Sequence, residues 1–133
     1  GTMGFGLPCA IGAALANPEK KVMCFTGDSS ILMNIQELAT LAELNLNITI
    51  IVLDNNALGM VYKMQEKFYK KCHSQSVYKN PTNIAKVAEA FGIESRHFDY
   101  KMILENNSSN DIADFIFGKN HPVLVQCEIP RIW

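Results

Sequence analysis

The residues best suited to chemistry stand in two clusters, Gly27-Asp28-Ser29-Ser30 and Asp54-Asn55-Asn56-Ala57-Leu58-Gly59-Met60, each directly after an apolar run. Asp28 offers a carboxylate and Asn55 an amide oxygen. Such hard donors suit a small divalent cation, and magnesium in particular is held by one or two protein oxygens together with phosphate oxygens. Gly27 permits a tight backbone turn. Ser29 and Ser30 put small hydroxyls and free N–H groups where a following helix begins, a position that favours a diphosphate. Gly-Asp-Ser by itself is also a common turn and N-cap with no ligand at all. The second polar cluster shifts the balance toward a site for magnesium and diphosphate.

For Asp28 and Asn55 to meet, the elements that carry them must be neighbouring strands of an open parallel sheet, whose carboxyl ends share one edge. Val22 to Thr26 and Ile48 to Leu53 read as such strands, continuously apolar as parallel strands covered on both faces are. Between them, Ile31, Leu32, Ile35, Leu38, Ala39, Leu41, Ala42 and Leu44 recur at helical spacing, which predicts a helix ended by Asn45-Leu46-Asn47. Strand, helix and strand make one right-handed βαβ unit. Upstream, the glycine-punctuated loop Gly1 to Pro8 leads into a helix of small residues, Cys9 to Ala16, predicted to be buried and stopped by Asn17-Pro18.

Downstream, Ala57 to Phe68 is predicted to pass from loop into helix, with Met60, Val61, Met64 and Phe68 as packing residues on one side. Met60 and Val61 start close enough to the strand end to touch a ligand. Tyr69 to Pro81 is polar and aperiodic, a surface loop in which the Lys70-Lys71 pair and His73 read as solvated. A helix follows from Ile84 to Phe91, closed by Gly92. Ile93 to Phe98 is a weaker strand, and Asn106 to Asn110 a polar loop. Ser108-Ser109-Asn110-Asp111 offers N-caps for a helix through Phe117, stopped by Gly118, and Pro122 to Ile129 is a last strand. The expected class is α/β: an open parallel sheet with helices on both faces.

At 133 residues and 48% hydrophobic composition the chain has material for one domain, residues 1–133, with a modest core. Its 12 basic and 13 acidic residues leave a formal charge of −1 without long runs of either sign, so no nucleic-acid-binding face is expected. The longest apolar run, Ile48 to Leu53, is far too short to span a membrane, and no signal peptide is visible. Cys9, Cys24, Cys72 and Cys127 lie far apart with no Cys-x-x-Cys pair, and they read as buried free thiols of a protein in a reducing cytoplasm.

Together these residues resemble the diphosphate-binding domain of thiamine diphosphate-dependent enzymes, in the acetolactate synthase-like branch. The family motif runs Gly-Asp-Gly and then, further on, Asn-Asn, and Gly27-Asp28-Ser29 and Asp54-Asn55 are similar to it. The branch pattern Asn-Asn-x-x-Leu-Gly-Met-Val is matched by Asp54 to Val61, which singles out Asn55 over Asn56. Gly1 to Pro8 resembles the cofactor loop, and Met33 to Thr40 the helix after the acidic motif. Phe68-Tyr69, Asn80-Pro81 and Ala88 to Gly92 also match, so the similarity covers most of the chain and weakens after about Ile93.

The resemblance implies that Asp28 and Asn55 bind Mg2+ by side chain and Ala57 by its carbonyl. Gly27, Ser29 and Ser30 would hold the diphosphate, and Gly1 and Thr2 belong to the cofactor loop. Met3 would prop thiamine diphosphate in its bent shape, with Leu58, Gly59, Met60 and Val61 lining the same pocket. It further implies attack on a small 2-keto acid, loss of carbon dioxide, and joining to a second 2-keto acid. The activating glutamate would come from a pyrimidine-binding domain, usually of the partner subunit, in a homo-oligomer; this chain supplies no catalytic residue. Ser29 departs from the motif's third Gly, Asp54 from its first Asn, and Met64 stands where acetolactate synthases usually carry a Trp tied to the choice of second keto acid. A 2-keto acid decarboxylase of the same superfamily and a non-catalytic interaction module are the alternatives. Because the chain opens in the cofactor loop, it is expected to lack the first strand and helix of the fold, and to be a part of a larger enzyme inactive alone.

Overall fold

The computed structural model describes residues 1–104 and 108–131. In chain order the elements are α1 (Gly6–Ala16), β1 (Val22–Gly27), α2 (Asp28–Leu32), α3 (Glu37–Glu43), β2 (Ile48–Asp54), α4 (Gly59–Phe68), α5 (Ile84–Ala90), β3 (Glu94–Phe98), α6 (Tyr100–Leu104), α7 (Ser108–Phe117) and β4 (Val123–Glu128). The four strands are all parallel, in the order β1-β2-β4-β3.

Period-two alternation in β2 and β4 divides the core between the two faces of the sheet. Ile48, Ile50 and Val52, with Leu124, meet Leu7, Ala10, Ile11 and Ala14 of α1, Ile31 of α2, Leu38 and Leu41 of α3, and Ile84, Ala85 and Ala88 of α5. Ile51, Val123 and Val125 turn the other way, onto Phe98 and onto Phe115 and Ile116 of α7. Each fully buried aliphatic side chain of this kind contributes roughly 1.5–3 kcal/mol. The one hydroxyl inside the β2 core, Thr49, donates to the Ile116 carbonyl at 3.1 Å and so is not left unsatisfied.

Several elements differ from expectation. Phe25 of β1 is 64% exposed, because β1 is an edge strand whose second face is only partly covered, at Met23, instead of covered throughout. α1 buries one side and leaves Leu15 and Cys9 exposed. The helix expected over Ile31 to Leu44 is broken between α2 and α3. Asn34 spends its side-chain amide on the Gly4 carbonyl at 2.6 Å, and the backbone tightens to i→i−3 bonds such as Asn34 N–H to Ile31 O (3.1 Å) and Glu37 N–H to Asn34 O (3.0 Å). α4 has no buried residue, so Met60, Val61, Met64 and Phe68 are an exposed apolar stripe instead of packing residues.

α6 was not expected. α7 starts at Ser108, which places Asn110 and Asp111 inside the helix, while Asn106 and Asn107 lie outside the described residues. All four cysteines are free, but only Cys24 is fully buried; Cys127 is half-buried, and Cys9 of α1 and Cys72 in the turn after α4 are exposed. Among the described residues no helix is long and apolar enough to cross a membrane.

Candidate functional site

The carboxyl ends of β1 and β2 lie side by side, with Gly27 paired to Leu53, so the polar residues that follow each strand reach one edge of the sheet. A concavity of about 200 Å³ opens there, lined by Met3, Gly27, Asp28, Ser29, Ser30, Leu53, Asn55, Ala57, Leu58, Gly59, Met60 and Val61. Gly1 and Thr2 stay outside it. Asn56 faces a different pocket, with Asp54, Asn83, His97 and Gln126.

Asp28 opens α2 and is 5% exposed. Its Oδ1 accepts the Ser29 N–H at 2.8 Å and the Ser29 hydroxyl at 3.4 Å, while its Oδ2 is buried with no hydrogen-bond partner among the described residues. A buried carboxylate oxygen without a donor is costly, and a cation is the natural group to satisfy it. Burial pushes the Asp28 carboxyl up from 3.8 to about 6; the nearby Asp54 charge adds to the rise, and the Ser29 N–H opposes it. The Ser29 N–H, expected to be free for a phosphate, is therefore already taken by Asp28. Gly27 sits at φ −90°, ψ 159°, a conformation open to any residue. What its missing side chain provides is an open cavity wall, not the tight turn expected of it.

On the β2 side, Asn55 Oδ1 accepts the Ala57 N–H at 3.0 Å, which closes the loop into an Asx turn and leaves the second lone pair of Oδ1 unused. Asp54, 3% exposed, accepts from the Asn56 N–H at 2.9 Å and from Gln126 Nε2 at 2.6 Å. The N-terminal loop is held over the site from above. Gly4 donates its N–H to Ser30 Oγ at 2.9 Å and takes φ +82°, and a Cβ there would stand 2.9 Å from Asn34 Nδ2. Only glycine fits that position, and it is what sets Met3, 43% exposed, at the cavity rim.

Three residues at the site were not anticipated. Tyr78 donates its hydroxyl to Ser29 Oγ at 2.7 Å, across a gap of 49 positions. Gln126 ties Asp54 to the start of α5 through the Ala85 N–H at 2.9 Å. Arg131 Nε donates to the Asn55 carbonyl at 3.0 Å. No local pattern marks any of them, since each arrives by long-range packing.

With Asp28, Asn55 and Ala57 lining one concavity beside small residues and an apolar rim, the arrangement suits a cation and an anion attached to an apolar group. Residues 1–127 match the family model described as "Thiamine pyrophosphate enzyme, C-terminal TPP binding domain". The acetolactate synthase isozyme 1 large subunit of Escherichia coli is 52% identical over 95 residues, covering 71% of this chain and 17% of its own length. Isozyme 2 from the same organism is 43% identical over 136 residues, covering 100% of this chain and 24% of its own. A probable acetolactate synthase large subunit from Methanococcus aeolicus is 46% identical over 99 residues, 74% of this chain and 16% of its length. The chain thus spans less than a quarter of each of these relatives. Among solved structures, the thiamine diphosphate-dependent 4-hydroxybenzoylformate decarboxylase of Rhodococcus jostii superposes with a TM-score of 0.77 over 96% of this chain and 23% of that one. At 23% identity that likeness concerns the fold.

Proposed function

Because the chain belongs to the family of C-terminal thiamine pyrophosphate-binding domains of thiamine pyrophosphate enzymes, we propose that it holds the diphosphate and magnesium of thiamine diphosphate within an acetolactate synthase-like enzyme. The observation that carries the proposal is the convergence of Asp28, Asn55 and Ala57 on one concavity with the Oδ2 of Asp28 buried and unpartnered. In this proposal Asp28 and Asn55 ligate Mg2+ by side chain and Ala57 by its carbonyl. Gly27 and Ser30 take the diphosphate, with Ser29 beside it holding Asp28 through its N–H and with Gly1 and Thr2 in the loop that folds over it. Met3, Leu58, Gly59, Met60 and Val61 hold the apolar part and keep water from it. Identities of 40–52% to acetolactate synthase large subunits support the choice of branch.

Thiamine diphosphate, when bound, supplies a carbanion able to attack a 2-keto acid and to accept the electron pair left when carbon dioxide departs. This chain contributes binding and orientation. The activating glutamate is assigned to a pyrimidine-binding domain of a partner subunit in a homo-oligomer, the reaction to decarboxylation of pyruvate and its joining to a second 2-keto acid, and the compartment to the cytoplasm, consistent with four free cysteines.

Calorimetry on the protein at its natural length, with thiamine diphosphate and Mg2+, tests the site. Asp28→Ala is expected to abolish magnesium-dependent cofactor binding. Asn56→Gly, which preserves the positive φ of 55° at that position, is expected to change it less than about threefold. Equal losses would place the metal ligand one residue away from Asn55, and no heat with the unsubstituted protein would defeat the cofactor assignment. Product analysis with pyruvate then separates acetolactate from acetaldehyde, the product of a simple decarboxylase.

A further inference from the structure

We propose that Tyr78 is a positioning residue of the cation site, acting through Ser29; the inference rests on the thiamine diphosphate and magnesium reading given above. The Tyr78 hydroxyl donates to Ser29 Oγ at 2.7 Å, a short bond to a side chain that is 8% exposed. With that donation in place, the single proton of Ser29 has two acceptors within reach: Asp28 Oδ1 at 3.4 Å and the Ala57 carbonyl at 3.3 Å. Both belong to the proposed ligand set, one from each strand end. Tyr78 therefore sets the rotor of the one hydroxyl that touches both. With Asp28 Oδ1 occupied by the N–H and the hydroxyl of Ser29, the oxygen left for a cation is Oδ2.

The segment that brings Tyr78 in is itself strapped to the site. Ser76 O accepts the Leu58 N–H at 2.8 Å, Tyr78 N–H donates to Asn56 O at 3.0 Å, and Val77 forms a bridge with Ala57. Residues 76–78 thus clamp the backbone on both sides of the Ala57 carbonyl. Ser76, 1% exposed, donates its hydroxyl to Gln65 Oε1 at 2.6 Å, which fastens the strap to α4, whose first turn lines the cavity. What reads in the sequence as a surface loop reaches two walls of the site by direct bonds, at Ser29 and at residues 56–58, and fastens to α4 behind them. Ser29 is also where the chain departs from the glycine of the family motif, so a latch onto its hydroxyl is a feature of this chain, not one carried over from the motif.

The test is Mn2+ binding to the protein at its natural length in saturating thiamine diphosphate, read from loss of the free-ion EPR signal and so independent of turnover. Tyr78→Phe keeps the ring and removes one oxygen; it is expected to weaken Mn2+ binding about fivefold. Ser29→Ala, which removes the other end of the same bond, is expected to weaken it by a similar factor and stands in if Tyr78→Phe folds poorly in thermal melts. In the Ser29→Ala background, Tyr78→Phe should cost nothing further, because its path to the ligands is already cut. Binding unchanged in Tyr78→Phe, or an equal loss in both backgrounds, overturns the positioning role while leaving the cofactor site intact. Absence of Mn2+ binding by the unsubstituted protein overturns the site and this inference with it.

Discussion

At the scale of single residues, Asp28 has two claims on it that pull in opposite directions with pH. In the folded chain its carboxyl titrates at about 6 instead of 3.8, chiefly because burial penalises the charge. A raised carboxyl pKa means that the fold binds a proton the unfolded chain has released. The stabilisation is fully present below the unfolded pKa and is lost as pH rises through the folded one, so the window is roughly pH 4 to 6. A cation, in contrast, needs the carboxylate. The cation-free protein is therefore expected to gain stability between neutral pH and pH 5, while Mg2+ affinity falls about tenfold per unit below pH 6. Asp28→Asn should flatten the first dependence and abolish the second, measured as urea midpoints and as magnesium titrations over the same pH series. A parallel pH slope in the variant would assign the effect to other carboxylates. Asp54, buried beside Asp28 with both oxygens occupied, adds to the raised value through its nearby charge and a side-chain hydrogen bond.

At the scale of elements, Gln126 shows how a strand sets a site it does not line. It is 2% exposed on β4; its Nε2 donates to Asp54 Oδ2 at 2.6 Å, and its Oε1 accepts the Ala85 N–H at 2.9 Å. One amide thus joins the end of β2, the first turn of α5 and the middle of β4. Gln126→Leu preserves size but strands a buried carboxylate oxygen and a helix N–H, at a cost of about 2–4 kcal/mol. A chemical melt should show that loss, whereas a change under about 0.5 kcal/mol would mean that water replaces both bonds. The strand ends and the glycine-bounded elements were legible in the sequence, because apolar runs closed by Asp28 and Asp54 carry their meaning locally. The break between α2 and α3 was not, since Asn34 leaves the helix pattern to satisfy Gly4, a partner in another segment. α4 misled for a related reason. Its Met60, Val61, Met64 and Phe68 have the spacing of a packed face, but that face has no partner among the described residues. Tyr78 and Gln126 meet their partners across 49 and 72 positions, which periodicity cannot express.

At the scale of the whole molecule, the strand order makes β4, the last of the described strands in sequence, a central one in space. β4 lies between β2 and β3 and is the only strand that β3 pairs with among the described residues. Val123, Leu124 and Val125 are 0% exposed, and they serve both faces of the core, Leu124 on one side and the two valines on the other. Their burial alone amounts to about 5–9 kcal/mol, the same size as the entire stability of an ordinary domain. β4 also fixes the site, because the chain just beyond it donates Ile129 N–H to the Asp54 carbonyl at 2.8 Å and Arg131 Nε to the Asn55 carbonyl at 3.0 Å. The carboxyl end of β2 is thus completed by residues that follow β4. A chain ended after Asn120 is expected to show no cooperative thermal transition by circular dichroism and no magnesium-dependent binding of thiamine diphosphate, although it retains every residue of the proposed ligand set. A sharp melt in that truncated chain would show that β1, β2 and their helices form a sheet without β4, and Asp28 and Asn55 would then owe their juxtaposition to the βαβ unit alone.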